Sequence, residues 1–181
     1  FEYLKNIPFN KAFSSSMNRP YETAQIILQN KKNLKIKKID SLVEISHGLW
    51  EGKLETEIRE KWPILLKNWH DKPEEVIMPE GESIKDVSER SIEAFDKICM
   101  SQKVNDLTLL VAHDAVNKTL ICNILGINYS NIWMIKQGNG GITIIDLFND
   151  ASKPPVISAL NITTHLGLSL IHISEPTRLG A

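Results

Sequence analysis

Cysteine is nearly absent from this chain: 181 residues contain two, Cys99 and Cys122. Both fall at apolar positions of predicted helices and read as buried thiols, which excludes a disulfide framework and suits a reducing, cytoplasmic setting. No apolar run approaches about 18 residues, so no transmembrane helix is expected. A secretory signal is also missing, although the chain opens FEYLKN without a methionine and its true N-terminus is expected to lie upstream. Neither sign of charge dominates: 21 Lys and Arg face 22 Asp and Glu, for a net charge of −1. That balance argues against a dedicated nucleic-acid binder. The five histidines (His47, His70, His113, His165 and His172) show no metal-ligand spacing with one another or with the cysteines, and no metal site is expected. Internal repeats and low-complexity tracts are absent too.

What remains is an ordinary globular composition, 42% hydrophobic and 24% charged, of a length that suits one domain with a substantial core. The stretch to start from is 107–126, LTLLVAHDAVNKTLICNILG. Residues 107–112 read as a short strand buried on both faces. His113-Asp114 ends it, and Val116, Leu120, Ile121, Ile124 and Leu125 then recur at helical spacing, with Asp114 as N-cap and Gly126 as stop. In open parallel sheets, ligands bind beyond the carboxyl ends of strands, often at helix N-termini where free N–H groups attract anions. His113 occupies such a point. Its plainer role would be to cap the helix or to satisfy a backbone carbonyl.

A second strand–turn–helix unit is predicted over 11–15 and 21–29, with Pro20 at or near the first helical position. Residues 35–39 (KIKKI) resemble a lysine-protected edge strand, and 41–52 read as a loop. A helix over 54–69 is bent or split by Pro63. Residues 71–81, rich in Pro and Glu, should form an exposed connection. Ser83 and Asp86 resemble a capping box that opens the next helix. A short helix near 131–135 and strands over 142–147 and 156–163 follow. This alternation predicts a three-layer α/β/α sandwich with a mostly parallel central sheet. Residues 168–181 fit nothing before them and read as a non-native tail, leaving 1–167 as the domain.

Two further residues are candidates for chemistry. Arg19 lies just ahead of a helix N-terminus, where a fixed cation is unfavourable unless it shares an anion with the helix amides. Glu44 sits between Val43 and Ile45, and a carboxyl held among apolar neighbours has a raised pKa, which suits a general acid. Each also has a plain reading, a solvated arginine and an outward-facing glutamate. The basic run at Lys31, Lys32, Lys35, Lys37 and Lys38 reads as a solvated edge. Gly138-Asn139-Gly140-Gly141 precedes a strand rather than a helix and so lacks the setting of a nucleotide loop.

Taken in order, these stretches resemble the histidine phosphatase superfamily, also called phosphoglycerate-mutase-like. SSSMNRPYETA (14–24) is similar to the family's S-S-x-x-x-R-A-x-x-T-A segment, and LVEISHGLWEG (42–52) to its L-x-E-x-x-x-G-x-W-E-G segment. PEGES (79–83) with Arg90 resembles P-x-G-E-S…R. LLVAHDAVNK (109–118) resembles the strand that carries the second active-site histidine, and NGGITIIDL and ALNITTHL resemble the closing strands. The likeness runs from about Lys5 to Gly167.

The resemblance implies a cofactor-independent phosphomonoester hydrolase that works through a phosphohistidine on a small phosphorylated metabolite. Arg19 would line the phosphate pocket, Glu44 would protonate the leaving group, and His113 would stabilise the transferring phosphoryl group. Asp114, which replaces a common glycine, would meet the substrate through its backbone amide. The W-E-G form looks more like the phosphatase branch, including enzymes acting on phosphoserine or α-ribazole phosphate, with specificity carried by the insertion at roughly 53–82. The family's nucleophile is a histidine in an Arg-His-Gly triplet ending the first, central strand, and no such triplet occurs here. The expectation is therefore an N-terminally truncated chain, inactive by itself, whose intact form is the enzyme. The alternatives are a phosphoglycerate mutase and a non-catalytic phosphate-binding domain.

Overall fold

A computed structural model describes residues 2–150 and 152–167; the predicted tail at 168–181 lies outside them. The chain runs β1 (Lys11–Ser15), α1 (Asn18–Ile27), β2 (Ile36–Ile39), α2 (Glu55–Lys61), α3 (Pro63–Asp71), α4 (Ile84–Met100), β3 (Thr108–Val111), α5 (Asp114–Leu125), β4 (Ile142–Asp146) and β5 (Val156–Ile162). Strands β2, β1 and β3 form a parallel sheet in that order, with Phe13 level with Lys37 and Leu110. As predicted, the lysine-bearing β2 is the edge.

Alternation along the strands divides the side chains between two layers. Ala12 and Leu109 pack with Ala24 of α1 and with Leu28, which follows it, on one face. Phe13, Ile39 and Leu110 turn the other way, onto a larger core built from α4 (Ile84, Val87, Ala94, Phe95, Ile98) and α5 (Val116, Leu120, Ile121). The result is the expected α/β/α arrangement.

Local sequence explains the helix limits. Asp86 accepts the Ser83 backbone N–H (2.8 Å) while Ser83 Oγ accepts the Asp86 N–H (3.2 Å), so the predicted capping box is formed. Pro63 splits the insertion into α2 and α3, occupying the start of α3 where a missing N–H costs nothing.

Four expectations need correction. The N-cap of α5 is His113, and Asp114 is its first residue, where a carboxylate suits the positive end of the helix dipole. Helix α1 begins at Asn18, so Arg19 lies inside its first turn rather than ahead of it. The connection at 71–81 is not wholly exposed: Pro73 is buried at the head of a 3-10 turn, and Val76 and Met78, two residues apart in the extended segment that follows, both turn inward. Strand β3 is only half-buried apart from Leu109. It pairs with β1 along one edge and with no strand along the other among the described residues. Strands β4 and β5 form a separate antiparallel pair on which Ile144, Val156 and Leu160 remain exposed.

Candidate active site

Parallel strands β1 and β3 end side by side, and the chain leaves both directly into helices. His113 is the first residue beyond β3 that matters. Its backbone is extended (φ −123°, ψ 171°), as an N-cap requires, but its ring turns inward instead of capping the helix. The side chain is 6% exposed, and Nε2 lies 2.9 Å from Ser15 Oγ at the end of β1. Burial, together with the nearby positive charges of Arg19 and Arg90, pushes its pKa down to about 4. At neutral pH the imidazole is uncharged.

Arg19 reaches the same place from the first turn of α1. Its side chain is exposed and makes no hydrogen bond or ion pair among the described residues, yet it lies near enough to act on His113. An unpaired guanidinium beside a neutral imidazole is an anion-binding arrangement awaiting a charge.

Glu44 arrives from the loop between β2 and α2 and places its carboxylate at the N-terminus of α5. Oε1 accepts N–H groups from Ile45 (3.1 Å) and Ala115 (3.3 Å), and the Asp114 N–H also points to the carboxylate. Those donors lower its pKa. Burial, first, and the Asp114 charge, second, outweigh them and raise it. A half-buried carboxyl that holds its proton above the usual range can serve as a general acid.

Asp114 contributes differently. Its carboxylate points away, 48% exposed, and pairs with Lys118 Nζ at 2.9 Å. Its amide serves Glu44. Arg19 and Glu44 thus both meet the start of α5, Arg19 through its charge on His113 and Glu44 through the Asp114 and Ala115 amides. Elsewhere, His47 packs edge-on against Trp69, and His165 stacks on Tyr3. Among the described residues no three His, Cys, Asp or Glu side chains group as a metal ion would need.

Sequence reasoning gave no role to Ser15, Glu82 or Arg90. Ser15 could have been found from the rule that ligand-facing residues collect at adjacent strand ends. Arg90 and Glu82 stand eight residues apart on and before α4, and their role emerges only in three dimensions: Arg90 donates to Glu82 through Nε (2.7 Å) and Nη2 (2.9 Å).

Known proteins resemble this chain over most of its length. The model of the histidine phosphatase superfamily (branch 1) matches residues 1–162. Phosphoserine phosphatase 1 of Hydrogenobacter thermophilus is 33% identical over 155 residues, covering 86% of this chain and 71% of that protein. The adenosylcobalamin/alpha-ribazole phosphatase of Escherichia coli is 22% identical over 144 residues, covering 80% and 70%. Among solved structures, Bacillus stearothermophilus YhfR superposes with a TM-score of 0.83 at 25% identity, over 91% of this chain and 80% of that one.

Proposed function

The chain belongs to the histidine phosphatase superfamily, and from that premise we propose that the intact protein hydrolyses a small phosphomonoester through a phosphohistidine intermediate. The observation that carries the reading is the gathering of three groups at the start of α5: an Arg19 unpaired among the described residues, a neutral buried His113 and a Glu44 carboxyl of raised pKa on the Ala115 amide. Arg19 holds the phosphoryl oxygens. His113 donates a hydrogen bond to them as charge develops, and the amides at the head of α5 add their dipole. A nucleophilic histidine attacks phosphorus, the P–O ester bond breaks, and Glu44 gives its proton to the departing oxygen. Water then attacks the phosphohistidine, the N–P bond breaks, and the Glu44 carboxylate takes the proton from that water as inorganic phosphate leaves.

The nucleophile in this proposal lies on a strand between β3 and β4, carried by a segment outside these 181 residues. Its support is the lack of an Arg-His-Gly triplet in the sequence and the unpaired edges of β3 and β4 among the described residues. Phosphoserine is the first substrate to try, given the 33% identity to a phosphoserine phosphatase.

The test is to join the coding segment upstream of Phe1 to this chain and measure phosphate release from phosphoserine and p-nitrophenyl phosphate. Replacing the upstream histidine by alanine should abolish turnover and the acid-labile phosphoenzyme. Persistent turnover by that variant refutes the mechanism. Glu44→Gln should slow release from poor leaving groups by about 10²–10⁴-fold, the usual worth of a general acid. The missing triplet also favours a second reading, a phosphate-binding domain without turnover, which phosphate binding by the joined chain without hydrolysis would support.

A further inference from the structure

Two arginines flank His113, and they differ in what their guanidinium groups have left to give. A guanidinium carries five N–H donors. None of those on Arg19 has a partner among the described residues. On Arg90, in the second turn of α4, every donor is engaged. Nε and one Nη2 hydrogen go to the two oxygens of Glu82 at 2.7 and 2.9 Å. Nη1 donates to the carbonyls of Ser41 (2.9 Å) and Val43 (2.7 Å), and the second Nη2 hydrogen goes to the carbonyl of Glu44 itself (3.2 Å). Arg90 therefore has no donor left for a phosphoryl oxygen.

We propose that Arg90, braced by Glu82, is the positioning residue for Glu44: it shapes the loop that presents the proton donor and does not itself bind phosphate. The inference rests on the reading of Glu44 as that donor. The carbonyls Arg90 holds belong to a segment with no strand partner among the described residues, and the guanidinium supplies hydrogen bonds to them. Glu82 closes the ring by accepting the Ser46 N–H at 2.9 Å through Oε2, so the loop is tied on both sides of Glu44. Burial works against the Glu82 charge, but its bonds to Arg90 and Ser46 hold its pKa below the ordinary value. The pair is thus ionised whenever Glu44 is called on. Lysine offers a point charge and three donors without the planar fork, and cannot span the same acceptors.

The loop also fixes the surroundings of the Glu44 carboxyl, because its position against the Ile45 and Ala115 amides depends on where its backbone lies. Titrating the Glu44 carboxyl by ¹³C NMR in the 181-residue chain, in the parent and in Arg90→Lys, tests the idea. In the parent the midpoint should lie above that of an ordinary glutamate. In Arg90→Lys, if the fold is retained, it should fall by about half a pH unit or more, as the carboxyl swings out of its desolvated position. Inorganic phosphate or vanadate affinity should stay within about twofold in Arg90→Lys and drop about tenfold or more in Arg19→Ala, the size of one charge-assisted hydrogen bond. An unchanged Glu44 midpoint in folded Arg90→Lys overturns the proposal. So does a loss of phosphate affinity as large as that of Arg19→Ala, which would make Arg90 a ligand. Should Arg90→Lys not fold, Glu82→Gln, which keeps an acceptor and removes the charge, carries the same comparison. If the parent binds no phosphate, the phosphatase reading suffers, while the Glu44 titration still judges the positioning claim.

Discussion

His113 stands between two unlike regions. On one side, the loop at 41–52 is braced at almost every residue. Arg90 and Glu82 hold its carbonyls and one amide, Leu49 N–H donates to Pro79 O (2.9 Å), and Glu82 N–H donates to Ser46 O (2.9 Å). On the other side, β3 and the β4–β5 pair share no ladder among the described residues, and apart from Leu109 their apolar side chains are half-buried or exposed. The two regions differ in how firmly their backbone is held. The loop that carries Glu44 is held at close range by Arg90 and Glu82, whereas β3 and β4 each carry one edge with no strand partner among the described residues.

The braced side should break hardest at Gly48. Its φ is +52°, and a Cβ there would meet Pro79 O at 2.1 Å and Gly81 N at 2.5 Å, both backbone atoms with no flexible end to move aside. Gly48→Ala should cost about 3 kcal/mol or more, combining left-handed strain with the forced separation of two chain segments. For a domain of this size, that lowers the melting temperature by roughly 6–12 °C. A variant melting within about 2 °C of the parent would show that the loop is looser than its hydrogen bonds imply.

The β4–β5 pair predicts a smaller effect of a different kind. Strand β1 is paired on both edges, whereas β4 and β5 pair only with each other among the described residues, and a two-stranded ribbon is marginal by itself. Native-state hydrogen exchange of the 181-residue chain should show β4–β5 amides opening with a free energy about 2 kcal/mol below that of β1, roughly a thirtyfold difference in protection. Equal protection would erase the comparison, since the two sheets would then open as one unit.

Much of the candidate site was legible residue by residue. Glu44 stood out between Val43 and Ile45, Arg19 at a helix start, and His113 where an apolar run met a helical period, because each signal lies within one continuous stretch of chain. The brace did not, because Arg90 lies 46–49 residues from the carbonyls it holds and no local period reports such a contact. The same limit explains the connection at 71–81. Its prolines and glutamates announce a loop, while the burial of Val76 and Met78 is decided by the core above which they pass. Strand β3 misled in the opposite sense. Its composition is that of a strand covered on both faces, and among the described residues that cover is partial.

The finest distinction between the two regions lies in the hydrogen bond that joins β1 to β3 beyond their ladder. Ser15 Oγ accepts the Met17 N–H (3.3 Å) and lies 2.9 Å from His113 Nε2; with the ring neutral and its proton on Nδ1, the hydroxyl donates to Nε2. A bond of that polarity favours the neutral ring. Ser15→Ala should therefore cost about 1 kcal/mol at pH 7.5, the net worth of one buried hydrogen bond. The cost should shrink as the pH falls towards 4, because a protonated Nε2 no longer accepts. The parent sets the background for this measurement. The His113 pKa is about 4 when folded and 6.5 as the ordinary value, so the unfolded chain binds more protons between those limits and His113 makes stability rise with pH there. Glu44 acts in the opposite sense: its folded pKa lies above the ordinary 4.5, so its contribution is complete below 4.5 and is lost as the pH rises through the folded value. Because Ser15→Ala leaves Glu44 in place, the difference between variant and parent urea midpoints at pH 7.5 and 4.5 isolates the histidine. A cost that grows in acid would reverse the polarity, making Ser15 the acceptor and His113 a ring that the site prefers charged.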